Sequence, residues 1–167
     1  ATVKKPGGLT GTEMKRPHNV VNSLCLSPEV LERTNVERYE RYEEVKKNET
    51  RWEEYLMEDA EYAIVAFGIA ARVAKNAIKV LREKGIKAGL IRPITVWPFP
   101  TEPIREASFR VKGFLSVELS MGQMIEDVKL ASECRKPVEL CYRAGGMIPD
   151  VERIVKSVEK MAEGGRN

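Results

Sequence analysis

A chain of 167 residues and 18.9 kDa, 43% of them apolar, is long enough to bury one core, as a single domain with an arm. Its 28 Lys+Arg and 25 Asp+Glu nearly cancel to +3, which leaves little field to gather nucleic acid or an anionic membrane surface. No apolar run approaches the roughly 20 residues of a membrane span, and the opening ATVKKPGG lacks a signal peptide's apolar stretch, so a cytoplasmic fragment with sequence upstream of Ala1 is expected.

Residues 1–27 read as irregular, with PGGLTG and RPHN as turn signals and VVNSLCL as a short apolar patch. Ser27-Pro28-Glu29 then sets a capping hydroxyl ahead of a proline at the first helical position and predicts a helix over Pro28 to Asn48. Its apolar residues Val30, Leu31, Val36, Tyr39, Tyr42 and Val45 make only a thin stripe. The helix is read either as an arm lying across the domain or as a solvated surface helix. RWEEYLM, Arg51 to Met57, is short and polar, which suits an edge strand.

Four short apolar runs follow, AEYAIVAFG, KAGLIRP, KGFLSVELS and KPVELCYR, each suited to a strand covered on both faces. Between the first two, IAARVAKNAIKVLREKG carries an apolar face of Ala70, Val73, Ala74, Ala77, Ile78 and Leu81, and Gly85 ends it. TEPIREASFR and GQMIEDVKLASEC give the next two helices, and PDVERIVKSVEKMAEGG gives a terminal one opened by Pro149 and Asp150. Strands alternating with helices predict a parallel sheet with right-handed crossovers and helices on both faces.

In such a sheet a ligand or partner sits beyond the carboxyl ends of the strands, at FGIAA, RPITVWPFP and ELSMGQM. The first holds only Gly68, without the further glycines that a backbone cradling a pyrophosphate requires, and no G-x-x-x-x-G-K-[ST] occurs; Gly68 is read as the tight turn into a helix. Glu118 ends a strand while Glu126 and Asp127 lie in the following helix, facing solvent, so Glu118 is read as an interface or helix-terminus hydrogen-bonding residue instead of one half of an acid pair. His18, the only histidine, lies in the polar lead-in and is read as idle. Cys25, Cys134 and Cys141 are too widely spaced for a metal or disulfide framework and are expected to be buried, inert thiols. In RPITVWPFP the prolines stiffen the loop, so Trp97 and Phe99 are either anchors for another protein or caps on the domain's own core.

AEYAIVAFGIAARVAKNAI, GIKAGLIRPITVWPFP and FLSVELSMGQMIEDVKLA, with RAGGMIP near the end, closely resemble the C-terminal domain of the α-type subunit of 2-oxoacid:ferredoxin oxidoreductases. VVNSLCLSPEVLE and RYEEVKKNETRWEEYL also resemble the connecting segment of the 2-oxoisovalerate (branched-chain) members. The resemblance implies a transketolase C-terminal-like fold for residues 51–167: an α/β/α sandwich around a mostly parallel five-stranded sheet with one antiparallel edge strand. Residues 1–50 would be a connecting segment with a charged helix. It further implies an enzyme that converts a 2-oxoacid and coenzyme A to acyl-CoA and CO2 and passes electrons to ferredoxin.

The same resemblance assigns thiamine diphosphate, Mg2+ and iron–sulfur clusters to other domains and subunits. The metal–diphosphate motif G-D-G…N is absent from this sequence. The fragment is therefore expected to bind no cofactor alone, to be inactive alone, and to help hold the thiamine-binding and iron–sulfur subunits together. Arg92, Trp97, Phe99, Glu118, Ser120, Met121, Gly122 and Gln123 are the candidate interface residues. The alternatives are a self-contained module for a small ligand, or the equivalent domain of another thiamine enzyme such as transketolase or the dehydrogenase E1 β-chain.

Overall fold

The computed structural model describes Lys15 and residues 22–164, so His18 and the turn signals before it lie outside the described residues, as does part of the VVNSLCL patch. Helix α1 (Pro28–Glu49) is capped by Ser27, whose Oγ accepts the Val30 N–H at 3.4 Å. None of its residues is buried. The chain divides into two units within this helix, after Arg41. The second unit, Tyr42 onward, contains the last turns of α1 and the α/β body.

That body runs β1 (Trp52–Tyr55), β2 (Tyr62–Val65), α2 (Gly68–Glu83), β3 (Ala88–Pro93), α3 (Thr101–Ser108), β4 (Gly113–Glu118), α4 (Met124–Ala131), β5 (Val138–Tyr142) and α5 (Val151–Gly164). The strands form one sheet in the order β1-β3-β2-β4-β5. All neighbours are parallel except β1, which pairs antiparallel with β3 at the edge. The mostly parallel five-stranded sheet with one antiparallel edge strand is thus the fold present.

Because side chains alternate across a strand, each central strand feeds two cores. Ile64, Leu90, Leu115 and Val117 point to the face covered by α2 and α5, where they meet Ala74, Ile78, Ile154 and Val158. Ala63, Val65, Ile91 and Phe114 point to the other face and meet Ile104, Ala107, Met124 and Val128 of α3 and α4. Every residue of β2 and β4 is buried, which explains why their sequences read as continuous apolar runs without alternation. In α2 the buried alanines Ala70, Ala71, Ala74 and Ala77 let the helix backbone approach the sheet closely.

The edge is fastened by charge. Glu53 of β1 lies opposite Arg92 of β3 in the register and accepts its Nη1 at 2.8 Å; Lys75 of α2 bonds the other carboxylate oxygen. At the far end of α2, Arg82 donates Nη2 to the Leu56 carbonyl at 2.8 Å and Nε to the Ala88 carbonyl at 2.9 Å, and it also reaches Asp59. The guanidinium thereby ties the β1–β2 turn to the start of β3.

The cysteines depart from expectation. Only Cys141, on β5, is buried; Cys25 is half-buried and Cys134 is exposed. Cys134 follows α4 in a turn where both it and Glu133 have φ of 52°, a left-handed stretch that carries the thiol off the helix before it can face the core. Among the described residues no helix is long and apolar enough to cross a membrane.

Gly89 in β3 is required by close approach: a Cβ there would stand 2.5 Å from the Leu56 carbonyl oxygen and 2.6 Å from Met57 Sδ. Gly89→Ala must push the β1–β2 turn outward and strain the Arg82 bond to the same carbonyl. Denaturant unfolding is expected to show a loss of about 1–3 kcal/mol; an unchanged midpoint and slope would contradict this account of the edge.

Candidate functional site

β2 leads through α2 to β3 on one side, while β4 lies on the other side of β2. The strand order therefore switches between β2 and β4, and the crevice beyond their carboxyl ends is where open α/β sheets take ligands or partners. Gly68, with φ of 57°, turns the chain from β2 into α2 there, and the helix start has no side-chain cap.

After β3, the segment Ile94–Pro100 is held as a rigid loop. Thr95 Oγ1 accepts the Arg51 N–H at 3.0 Å and donates to the Pro98 carbonyl at 2.9 Å, and the Ile94 N–H bonds the Arg51 carbonyl. The Trp97–Pro98 peptide is cis. The two aromatics of this loop divide their roles. Phe99 is half-buried against the α3–α4 core, whereas Trp97 is 54% exposed and meets Tyr42 of α1 edge-on, with ring centroids 5.4 Å apart.

At the end of β4 stands Glu118, only 3% exposed. Its Oε1 accepts the Ser116 hydroxyl and the Ile125 N–H at 2.9 and 2.8 Å. Its Oε2 accepts the Ser120 hydroxyl and the N–H groups of Gln123 and Met124 at 2.8, 2.8 and 3.2 Å. The three amides are those that the start of α4 would otherwise leave unpaired. Burial by itself would raise the Glu118 pKa, but the Gln123 N–H, the Ser120 and Ser116 hydroxyls and the Ile125 N–H outweigh it and hold the carboxyl below its usual range. Glu118 is thus a helix-terminus hydrogen-bonding residue with both oxygens occupied.

These loops enclose a cleft of about 390 Å³ lined by Phe67, Ala70, Val96, Phe99, Val117, Glu118, Leu119, Ser120, Gln123, Met124 and Asp127. Of the sequence candidates, Phe99, Glu118, Ser120 and Gln123 come together here. Trp97 lines an adjoining cleft with Phe99, Asp127 and Leu130. Met121, 74% exposed, and Gly122, at φ 108°, lie on the loop between Ser120 and Gln123 without lining either cleft. Arg92 stands apart, lining a basic hollow with Gly68, Arg72 and Lys75.

The sequence candidates omit Phe67, Val96 and Leu119, all exposed at strand ends. Their position just past each apolar run was the available signal. Asp127, read as solvent-facing, is exposed yet also lines the cleft. Its pKa is raised by partial burial and then by the charges of Glu118 and Glu126.

The donor set does not fit a thiamine diphosphate. The cleft's charged groups are carboxylates, of the wrong sign for a diphosphate, and Glu118 has no free lone-pair direction for a metal. Among the described residues no group of three His, Cys, Asp or Glu could hold a metal ion.

Glu118→Gln replaces one acceptor oxygen by an amide that faces N–H or O–H donors. At neutral pH it is expected to lower the unfolding free energy by about 2–4 kcal/mol. The wild-type contribution is complete above the unfolded-state value near 4.5 and is lost as pH falls through the depressed folded value. Urea unfolding across this acid range should show the gap between wild type and variant closing; a constant gap would refute the charge-based account.

Residues 60–154, more than half of the chain, match the family described as pyruvate:ferredoxin oxidoreductase core domain II. Ketoisovalerate oxidoreductase subunit VorB of Methanothermobacter marburgensis is 48% identical over 144 residues, which cover 86% of this chain and 41% of that subunit. In fold, the chain is similar to 2-oxoglutarate:ferredoxin oxidoreductase from Magnetococcus marinus, at a TM-score of 0.66 and 19% identity, over 82% of this chain and 24% of that one. It is likewise similar to a split-gene transketolase in an inactive β4 tetramer, at 0.60 and 22%, over 70% and 42%. The chain spans less than half the length of the curated relatives it matches. The family match over β2 to β5 and their crossovers makes the chain a member of the pyruvate:ferredoxin oxidoreductase core domain II family.

Proposed function

We propose that this chain is the non-catalytic assembly domain of an α-type subunit in a thiamine-diphosphate-dependent 2-oxoacid:ferredoxin oxidoreductase whose substrate is 2-oxoisovalerate. The complete enzyme would convert the 2-oxoacid and coenzyme A to acyl-CoA and CO2, with ferredoxin as electron acceptor. Thiamine diphosphate, Mg2+ and iron–sulfur clusters would be held by other domains and subunits. Residues 1–50 would connect, and residues 51–167 would pack against the neighbours.

One observation carries the assembly reading: the carboxyl end of the sheet is rimmed by exposed apolar side chains, including Phe67, Val96, Trp97, Leu119 and Met121. The carboxylate that ends β4 is spent on holding α4. A rim of this kind excludes water once a partner covers it, and aromatic anchors on rigid loops are the residues that dominate such contacts. Identity of 48% to a ketoisovalerate oxidoreductase subunit supports the substrate.

A second reading, a module for a small ligand, draws on the cleft at the switch point, whose volume falls in the range of small-molecule sites. Calorimetric titration with coenzyme A or a nucleotide separates the two, since saturable heat would favour the module.

Trp97→Ala in the complete enzyme is expected to weaken subunit association about 10-fold to 100-fold, as a truncated hot-spot aromatic does. Mass photometry over a dilution series reads this directly. Assembly and activity matching wild type at the lowest concentrations would overturn the interface role.

A further inference from the structure

Asp127 is the cleft's unanswered charge. It projects from the first turn of α4 and lines both the cleft beyond β2 and β4 and the adjoining one beside Trp97. Among the described residues no cation lies within ion-pair distance of it and no donor bonds it. The neighbouring cations are engaged elsewhere: Lys129 pairs with Glu126 at 3.0 Å, and Lys46 with Glu43 at 2.7 Å. Lys46 lines the adjoining cleft with Asp127, while the carboxylates of Glu118 and Glu126 repel Asp127.

The walls beside this carboxylate are aromatic and aliphatic. Phe67 and Val96 are exposed at the mouth, Phe99 is half-buried, and Val117 and Met124 form the floor. Glu118, its two serine donors and the Gln123 N–H are mutually satisfied, which leaves Asp127 as the charged group, beside the Gln123 side chain, to specify an occupant. A small-molecule site ordinarily converges several polar groups on its ligand; one unpaired carboxylate with a neutral amide beside it, among largely apolar walls, suits a long cationic side chain. Arginine matches best, because its stem packs on apolar surface, its guanidinium stacks on aromatic faces, and its fork meets a carboxylate with two bonds.

We propose that this cleft receives an arginine, flanked by apolar residues, from another part of the assembled oxidoreductase, and that Asp127 is its counter-charge. The inference rests on the assembly reading and goes beyond it by naming the chemistry of the contact. The apolar rim supplies area, and Asp127 supplies registry: a neighbour docked without a cation at this position would bury a carboxylate unpaired, which disfavours wrong alignments.

The test uses the complete enzyme. Asp127→Asn is expected to weaken association about tenfold or more at low ionic strength, Asp127→Glu to retain most of the affinity, and the difference between wild type and the Asn variant to shrink at high salt. Asp127 bonds nothing within the domain, so thermal unfolding of the Asn variant monitors that folding is intact. Placing a benzoylphenylalanine photo-cross-linker at Val96, exposed at the mouth of the cleft, leaves Asp127 in place, and sequencing the adducts should identify a peptide outside this domain that contains arginine.

Adducts confined to this domain, an adduct peptide without a basic residue, or equal assembly of the Asp and Asn forms would overturn the proposal. A small cationic molecule found by native mass spectrometry in wild type and lost in the Asn variant would overturn it as well. If Trp97→Ala loosens the complex and Asp127→Asn does not, the arginine contact fails while the assembly reading stands. If neither does, both fail.

Discussion

The carboxyl edge of this domain depends on one buried carboxylate. Glu118 sits where β4 ends, and its five hydrogen bonds reach back to Ser116, across to Ser120 and forward to three amides at the start of α4. A single side chain thereby fixes the turn from strand to helix and the direction in which α4 leaves the sheet. Hydrogen bonds to an ionised group are roughly twice as strong as neutral ones, and here they must offset the desolvation of a full charge. Donors on both oxygens make that balance favourable. Without it, the loop carrying Leu119 and Met121 would have no fixed relation to Phe67 and Phe99, and the cleft would not exist as a shape.

The rest of the site follows from sheet order. Placing β4 beside β2 while β2's own crossover runs to β3 opens the gap that Glu118 then lines. The apolar rim is produced by the strands overrunning the sheet: Phe67, Val96 and Leu119 each come just past the last paired residue of a strand that is otherwise buried on both faces. The basic hollow of Arg72, Lys75 and Arg92 lies to one side of α2's start, with the acidic, apolar cleft to the other. Lys75 and Arg92 share the Glu53 carboxylate, so the charge of that hollow is partly answered within the domain.

Most of the body was legible from periodicity. Apolar runs marked β2 to β5, a short polar run marked β1 as an edge, and Gly85 and Asp150 marked helix ends; Asp150 Oδ1 accepts the Arg153 N–H at 2.8 Å. Glu118 could be read as a helix-terminus partner because a carboxylate at the end of a buried strand needs donors. Its five donors could not be counted in advance, since they come from a loop whose path the sequence does not specify. Asp127 looked like a solvated residue because helix periodicity says which face a residue occupies, not what the neighbouring loop brings over that face. Phe67, Val96 and Leu119 fell within the segments expected beyond the strand ends, yet nothing in their pattern marked them individually as rim residues. Cys134 misled because burial was expected of it as a free thiol outside any metal or disulfide set, whereas a left-handed turn carries it off the helix into solvent.

The separation between the two cores and the rim has a consequence for how such a domain diverges. Val96, Trp97, Leu119 and Met121 project past the sheet and lie outside both buried clusters. Substitutions among them are expected to change what the face recognises while adding nearly independently to the stability of the body. Recognition can then drift quickly on an unchanging sheet, and the residues that hold the scaffold, Glu118 above all, are those on which any new specificity must be built.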